Sequence, residues 1–196
     1  MTHLVRGERV FLRPFEARDN EAYRRWRADA RVMATAGFGE RAPLSLAQVE
    51  KRLEQVTAEQ GKDQYLFAIC LIDDEHPIGE GSLFGIDRRV GSAELGIFIG
   101  EPEEWGEGYG TDAVNALVDF GFGELRLERI WLNVWTENVP ARRAYEKAGF
   151  VREGRVRHDL YEHGTYTDGD IMSILRDEWL RRVASHEASE FTSPDR

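Results

Sequence analysis

Hydrophobic and polar residues alternate along the chain with two different periods, which separate predicted strands from predicted helices. Stretches in which every second residue is apolar predict strands, because successive side chains of a strand point to opposite faces of a sheet. Apolar residues spaced one helical turn apart predict amphipathic helices. The predicted strands are residues 9–15, 64–72, 78–87, 92–100, 128–135, 150–161 and 167–176, and the predicted helices are residues 20–33, 46–60, 111–125 and 138–149.

The order of these elements predicts the fold class. Short polar turns join the strands between residues 64 and 100, which favours antiparallel hairpins. Asp19 and Ser45 are expected N-caps of the first two helices. We predict an α+β (mixed α/β) layer protein with a single domain over residues 1–183. The polar residues 184–196 are expected to form a disordered tail.

Composition excludes several functional classes. The chain has 196 residues and a net charge of -10, so we expect no nucleic-acid partner, since phosphate contacts need clustered basic residues. The single cysteine, Cys70, lies in an apolar run, and neither a disulfide framework nor zinc-ligand spacing is present, so no metal is expected. No apolar run reaches membrane-spanning length and the N-terminus lacks a signal-peptide core, which predicts a cytoplasmic protein with no membrane partner.

The stretch EEWGEGYGTDA, residues 103–113, has a glycine at every second position from Gly106 to Gly110. It lies between a predicted strand and a predicted helix, where main-chain N–H groups and the helix dipole attract anions. Glycine allows close approach of a ligand to the backbone. The loop therefore predicts a phosphate site made of main chain, although an ordinary glycine turn explains the same residues equally well.

Two other glycine-loop classes fit less well. A nucleotide triphosphatase loop ends in Gly-Lys-Ser/Thr, whereas Gly110 is followed by Thr111. A dinucleotide fingerprint is matched by Gly108, Gly110 and Ala113. However, residues 101–105 separate the strand from the loop, and the preceding strands are predicted to be antiparallel. A dinucleotide-dependent oxidoreductase therefore stays a minor alternative.

Residues 94–122 and 132–150 together resemble the GNAT superfamily of acetyl-coenzyme A-dependent N-acetyltransferases. The likeness is greatest to the branch of ribosomal-protein N-terminal acetyltransferases and polyamine acetyltransferases, and it extends over residues 9–179. The family loop Gln/Arg-x-x-Gly-x-Gly/Ala corresponds to residues 105–110, with Trp105 in the first position. The second family motif is an Asn at a helix start, followed by a small residue, a Tyr and a terminal Gly-Phe. It is matched by Asn138, Ala141, Tyr145, Gly149 and Phe150.

The resemblance implies a central, mostly antiparallel sheet whose fourth and fifth strands splay apart, with flanking helices. Acetyl-CoA would be the co-substrate, with its pantetheine arm in the gap beside residues 96–99 and its pyrophosphate on the glycine loop. The glutamates that flank the loop would then point to solvent. The residues expected to bind the cofactor are Ile97, Phe98, Ile99, Trp105, Gly106, Glu107, Gly108, Tyr109, Gly110, Thr111, Asn138, Ala141 and Tyr145.

Acetyl transfer to an amine needs an acid, a base and oxyanion donors. The resemblance implies that Tyr145 is the acid for the leaving thiolate; the alternative is an aromatic side chain that anchors its helix. Glu94 is the candidate base, through a water molecule; the alternative is a solvated carboxylate on a sheet face. The oxyanion donor would be a main-chain N–H near Phe98 or Ile99. Asn138 can also act purely as a helix cap.

The expected function is transfer of an acetyl group to a primary amine, such as a protein N-terminus, a polyamine or another small amine. A non-catalytic acyl-CoA-binding module on the same fold is the alternative, and a homodimer is a possible assembly. Arg142 and Arg143 either reach the cofactor phosphates or are solvated. Acidic residues expected near the acceptor end are Glu40, Asp159, Glu162 and Asp168.

Overall fold

The computed structural model describes residues 5–36, 42–73, 75–162 and 165–191. Its strands are β1 (Val5–Arg6), β2 (Val10–Arg13), β3 (Tyr65–Leu71), β4 (Pro77–Asp87), β5 (Ser92–Ile99), β6 (Arg129–Trp135), β7 (Val151–Glu162) and β8 (Thr165–Leu175). Its α-helices are α1 (Asn20–Ala28), α2 (Ala30–Met33), α3 (Leu46–Ala58), α4 (Tyr109–Gly123), α5 (Val139–Lys147) and α6 (Arg176–Phe191). Glu40 and His163 lie outside the described residues.

The strands form one eight-stranded sheet in the order β1-β2-β3-β4-β5-β6-β8-β7. Neighbouring strands are antiparallel except β5 and β6, which run parallel and pair only from Ser92–Arg129 to Glu94–Trp131. Beyond that pair, β5 remains hydrogen-bonded to β4 alone, and a gap opens toward β6. The predicted mixed α/β class and the splay of the two central strands are thus confirmed, with the short β1 added at the sheet edge.

Helices cover the two faces of the sheet over different strands. α4 packs on one face, where Leu117 joins Leu83 of β4 and Ile130 of β6 in a fully buried core. On the other face, Trp26 of α1 packs with Phe98 of β5 in a second core beneath α1 and α3. Burying side chains of this size stabilises the fold by about 1.5–3 kcal/mol each. The two cores hold β5 between them, which fixes the strand that borders the gap.

The first predicted helix is interrupted, and its expected cap has another role. The chain is extended at Asp29, whose carboxylate accepts a hydrogen bond from the Arg31 N–H at 2.8 Å and starts α2. Aspartate side chains compete for backbone donors in this way. The apolar spacing over residues 20–33 predicted one helix, whereas the structure has two, separated at Asp29. The Asp19 side chain does not cap α1; its buried carboxylate instead accepts hydrogen bonds from Arg13 at 2.7 Å and from the Glu16 N–H at 2.8 Å. Ser45 caps α3 as predicted.

A C-terminal helix that was not predicted from the sequence follows the last strand. α6 continues to Phe191, so a disordered tail starting at residue 184 is wrong for residues 184–191, while residues 192–196 lie outside the described part. The segment has no glycine or proline before Pro194, and nothing in it stops a helix. The start of α6 is held by Trp179, whose Nε1 donates to Asp119 of α4 at 2.6 Å. In the ranges that the structure describes, no helix has the length and apolar character to cross a membrane.

Candidate active site

A cleft of about 660 Å³ opens between the end of β5, the glycine loop, the start of α4 and α5. It brings together most of the residues predicted to bind a cofactor: Ile97, Phe98, Ile99, Trp105, Gly106, Gly108, Gly110, Thr111, Asn138, Ala141 and Tyr145. Arg143, for which contact with the cofactor phosphates was one of two alternatives, also lines the wall. The remaining lining residues were not predicted: Thr35, Glu104, Val114, Pro140, Ala144 and Lys147. Glu94, Glu107 and Tyr109 are not among the lining residues.

The glycine loop presents a run of main-chain donors to this cleft. Gly106 and Gly108 have φ angles of 85° and 90°, which L-residues with a side chain rarely adopt. Among the described residues, the N–H groups of residues 106–111 find no hydrogen-bond acceptor, whereas the next amide, of Asp112, donates to the Gly108 carbonyl. The donors lie at the N-terminus of α4, where the helix dipole adds positive potential. The geometry suits a bound phosphate group.

The loop is held in this shape from the N-terminal end of the chain. The Asp112 carboxylate accepts the N–H groups of Glu8, Arg9 and Val10, each at 2.9 Å. Arg9 in turn donates to the Glu107 carbonyl, and its guanidinium lies 4.3 Å from the centre of the Tyr109 ring. Arg9 was not predicted to contact the loop, because nothing in a local sequence pattern connects it to residues about a hundred positions away. Glu107 thus contributes its main chain to the support of the loop.

Trp105 ties the other end of the loop to β5. Its indole Nε1 donates to the Ile99 carbonyl at 2.9 Å. The family motif has Gln or Arg at this position, and Trp is likewise a hydrogen-bond donor. The carbonyl that accepts this bond belongs to the strand bordering the gap, so the loop and the strand form one continuous wall of the cleft.

The direction of the β5 amides follows from the ladder with β4. The Gly100 N–H donates to the Ile78 carbonyl at 2.7 Å, so alternation along an antiparallel pair directs the N–H groups of Ile97 and Ile99 away from β4, toward the gap. The oxyanion donor was predicted to be a main-chain N–H near Phe98 or Ile99. The Phe98 N–H faces β4, so the amides of this segment that face the gap are those of Ile97 and Ile99.

α5 supplies the opposite wall of the cleft. Asn138 caps the helix, since its Oδ1 accepts the Ala141 N–H at 3.2 Å, and Asn138 also lines the cleft. Tyr145 is buried with its ring centre 5.9 Å from that of Phe150. Burial raises the pKa of Tyr145 to about 12, so its hydroxyl is protonated at neutral pH and can donate a hydrogen bond. Both residues therefore combine a structural contact with a place in the cleft.

Glu94 lies at the last paired position of β5 before the gap. It is opposite Trp131 of β6 and Phe84 of β4, and it is half-buried. Alternation places its side chain on the sheet face opposite to those of Ile97 and Ile99 and on the same face as that of Phe98. Burial raises the pKa of the Glu94 carboxyl above its usual range. A half-buried carboxylate therefore lies where the gap begins, next to the cleft but not in its wall.

The two neighbouring arginines of α5 have different surroundings. Arg142 donates to the Thr136 carbonyl at 3.1 Å and lies 3.7 Å from the buried Asp170, whereas Arg143 lines the cleft. The Asn133 amide of β6 donates to the Asp159 carboxylate at 2.5 Å, outside the cleft. Over the described residues, no group of His, Cys, Asp and Glu side chains is placed to hold a metal ion; the absence of a metal stays a prediction.

Comparison with known proteins identifies the family. Residues 9–151 match the acetyltransferase (GNAT) domain family. The chain belongs to the GNAT acetyltransferase family. The match includes β5, the glycine loop, α4 and α5, so the cleft lies within the GNAT domain.

Individual GNAT proteins are similar over most of the chain. Probable N-acetyltransferase YjcK of Bacillus subtilis is 31% identical over 181 residues, which cover 88% of this chain and 97% of that protein. Spermidine N(1)-acetyltransferase of Vibrio cholerae is 37% identical over 105 residues, 54% of this chain and 60% of the relative. The crystal structure of the Vibrio cholerae spermidine N-acetyltransferase in complex with CoA and spermine superposes with a TM-score of 0.80 at 28% identity, covering 88% of this chain and 98% of that one.

Replacing Asp112 with alanine tests whether the N-terminal tether positions the glycine loop. Asp112→Ala removes the acceptor of three amides, so we expect a lower melting temperature and an acetyl-CoA affinity weaker by about tenfold, equivalent to ~1.4 kcal/mol. Calorimetric titration and thermal unfolding measure the two effects. Glu124→Ala, which removes the same charge at the other end of α4, should change neither. A folded Asp112→Ala protein with unchanged affinity would contradict this role.

Proposed function

We propose that this GNAT protein transfers the acetyl group of acetyl-CoA to a primary amine. The acceptor is a protein N-terminus, a polyamine or another small amine. The observation that carries the proposal is the run of N–H donors over residues 106–111, which opens into the same cleft as Tyr145. A phosphate site alone would suit many ligands, but its position beside a strand with unpaired backbone groups fits a ligand with an anionic end and an amide-containing arm.

The chain's own groups suit coenzyme A along the whole cleft. The N–H groups of residues 106–111 would hold the pyrophosphate, which needs donors but no side-chain charge. The gap-facing C=O of Ile97 and the gap-facing N–H of Ile99 would pair with the pantetheine amides as an added strand does. Asn138 and Ala141 would contact the same arm from α5. The Ile99 carbonyl is already engaged by Trp105, so the arm must leave the strand there and turn toward the loop.

The reaction needs a neutral amine at the gap. An alkylamine has a pKa of about 10 and is mostly protonated at pH 7, so it must lose a proton before its nitrogen attacks the thioester carbon. Glu94 is the proposed base, acting through water, and the rise in its pKa by burial brings it closer to the pH at which it must work. Its position on the sheet face opposite to the side chains of Ile97 and Ile99 supports a route in which the amine approaches from the Glu94 side.

Tyr145 is the proposed partner of the departing sulfur. As the N–C bond forms and the C–S bond breaks, negative charge passes to the thiolate, whose ordinary pKa is about 8.5. A phenol with a pKa of about 12 keeps its proton under these conditions, so its role begins as a hydrogen bond that strengthens as charge develops. The gap-facing N–H of Ile97, which is farther from the glycine loop than that of Ile99, would hold the carbonyl oxygen while it is negative.

The acceptor class that we propose is a cationic amine. The Vibrio cholerae relatives act on spermidine by name, and one is crystallised with spermine. This chain has a net charge of -10, and the described side chains of Asp159 and Asp168 lie on the β7–β8 hairpin next to β6. These features support a cationic amine. Glu162, whose side chain lies outside the described part, adds nothing to this comparison.

The direct test is amine-dependent release of free thiol. The protein is mixed with acetyl-CoA and, separately, with spermidine, spermine, lysine-containing peptides and peptides with free N-termini. We expect thiol release with at least one amine and none without amine, with mass spectrometry showing an added acetyl group on that amine. Tight acetyl-CoA binding with no turnover on any acceptor would instead establish a non-catalytic acyl-CoA-binding module.

Tyr145→Phe separates the chemical role of the hydroxyl from the packing of the ring. The variant keeps the aromatic contact with Phe150 and removes only the donor. We expect kcat to fall by roughly 10²–10⁴-fold, the usual size of an acid–base contribution, with acetyl-CoA affinity nearly unchanged. The Kd is measured by calorimetry and kcat by thiol release. Weakened binding at full kcat would show that the hydroxyl holds the cofactor.

Glu94→Gln tests the base through a pH profile. The wild-type rate should rise as the pH passes the Glu94 pKa, because only the deprotonated carboxylate accepts a proton, and burial places this rise above the usual glutamate range. The glutamine variant should be slower and lack that rise, leaving only the titration of the acceptor amine. Glu128→Gln, on the chain segment entering β6, is the charge-matched control. A variant profile identical to wild type would exclude Glu94 as the base.

A further inference from the structure

Two basic residues of α5 form part of the cleft wall. We propose that Arg143 and Lys147 bind the 3′-phosphate of the coenzyme A ribose. This assignment rests on the proposed function and adds to it a second anion site, formed by side chains instead of main chain. It also gives Arg143 a different role from its neighbour Arg142, although the sequence offered the same two alternatives for both residues.

The helix geometry puts both cations on one stripe. Arg143 and Lys147 are four residues apart, and both are exposed and line the cleft together with Ala144 and Pro140. Side chains at this spacing lie one turn above the other on the same face of a helix. Arg142 points elsewhere, to Thr136 and Asp170. The stripe therefore faces the glycine loop across the cleft.

Neither cation has a structural use among the described residues. The side chains of Arg143 and Lys147 take part in none of the ion pairs or hydrogen bonds of that part of the chain. Arg182 donates to the main-chain carbonyl of Lys147 at 3.3 Å and leaves the Lys147 ammonium group uninvolved. The helix that carries them is fixed by the Asn138 cap and by the contact of Arg142 with Asp170. Two unused charges are thus presented from a firmly held element.

The negative charge of the protein makes cations in the cleft necessary for binding a phosphomonoester. The protein has a net charge of -10 and the loop region carries Glu103, Glu104 and Glu107, so the long-range field repels an anionic ligand. Coenzyme A carries a pyrophosphate and a separate phosphomonoester of about -1.5 to -2 charge. The loop amides suit the pyrophosphate, whereas a phosphomonoester is best bound by charge-assisted hydrogen bonds. The only cations that line the described cleft are Arg143 and Lys147.

The test compares two ligands that differ by one phosphate. Calorimetry measures binding of acetyl-CoA and of acetyl-3′-dephospho-CoA to the wild type and to R143Q/K147Q. We expect the wild type to prefer acetyl-CoA by at least about tenfold. The double variant should lose that preference, binding both ligands as the wild type binds the dephospho compound. The preference should also shrink in high salt for the wild type only.

R89Q/R157Q is the matched control, because it removes the same charge from residues that do not line the cleft and should retain the preference. A preference that survives in R143Q/K147Q would overturn the assignment, as would a wild type that binds the two ligands equally. Equal weakening of both ligands would overturn it too, and would place the cations at the pyrophosphate. If the wild type binds neither ligand, the proposed function fails together with this site.

Discussion

β5 and β6 run parallel and stay paired for only a short stretch, and the cleft depends on where that pairing ends. A parallel pair needs a crossover connection, which α4 provides here, so the N-terminus of α4 has to lie at the end of β5. The end of the pairing leaves main-chain groups of β5 without a strand partner, and unpaired buried groups are costly unless a ligand or water satisfies them. The gap and the position of the glycine loop therefore both follow from the short parallel pairing of β5 with β6.

Main-chain recognition also reconciles an acidic loop with an anionic ligand. The donors over residues 106–111 are amides, whose direction is set by the φ angles of Gly106 and Gly108 and by the contacts of Arg9 and Trp105. Side chains at these positions can consequently be acidic without occupying the cleft, as Glu107 illustrates. In the proposed arrangement the positive charge comes from another element, α5, so loop shape and cleft potential can vary independently.

Local patterns were enough to predict features that depend on a few neighbouring residues. Periodicity located the strands, and Ser45 and Asn138 were predicted to be helix caps. Tyr145 was predicted to lie in the cofactor site from a motif that spans α5 and its ends, and it lines the cleft. Features that depend on distant contacts were out of reach. The Arg9 N–H donates to the Asp112 carboxylate although the two residues are far apart in the sequence. Arg142 and Arg143 differ in their contacts because Asp170 lies beside Arg142 alone. The break at Asp29 was missed because its side chain outcompetes a helical backbone.

The tether between Asp112 and the amides of Glu8 to Val10 spans as many as 104 positions of the chain. Bringing such distant segments together requires closure of a long loop, which costs conformational entropy, so the shape of the glycine loop depends on assembly of the sheet edge around α4. An anion bound at this loop would therefore oppose the loss of distant contacts as well as local ones. Because a ligand that binds only the native state raises the folded fraction by mass action, the proposed cofactor would stabilise the whole fold and not the loop alone.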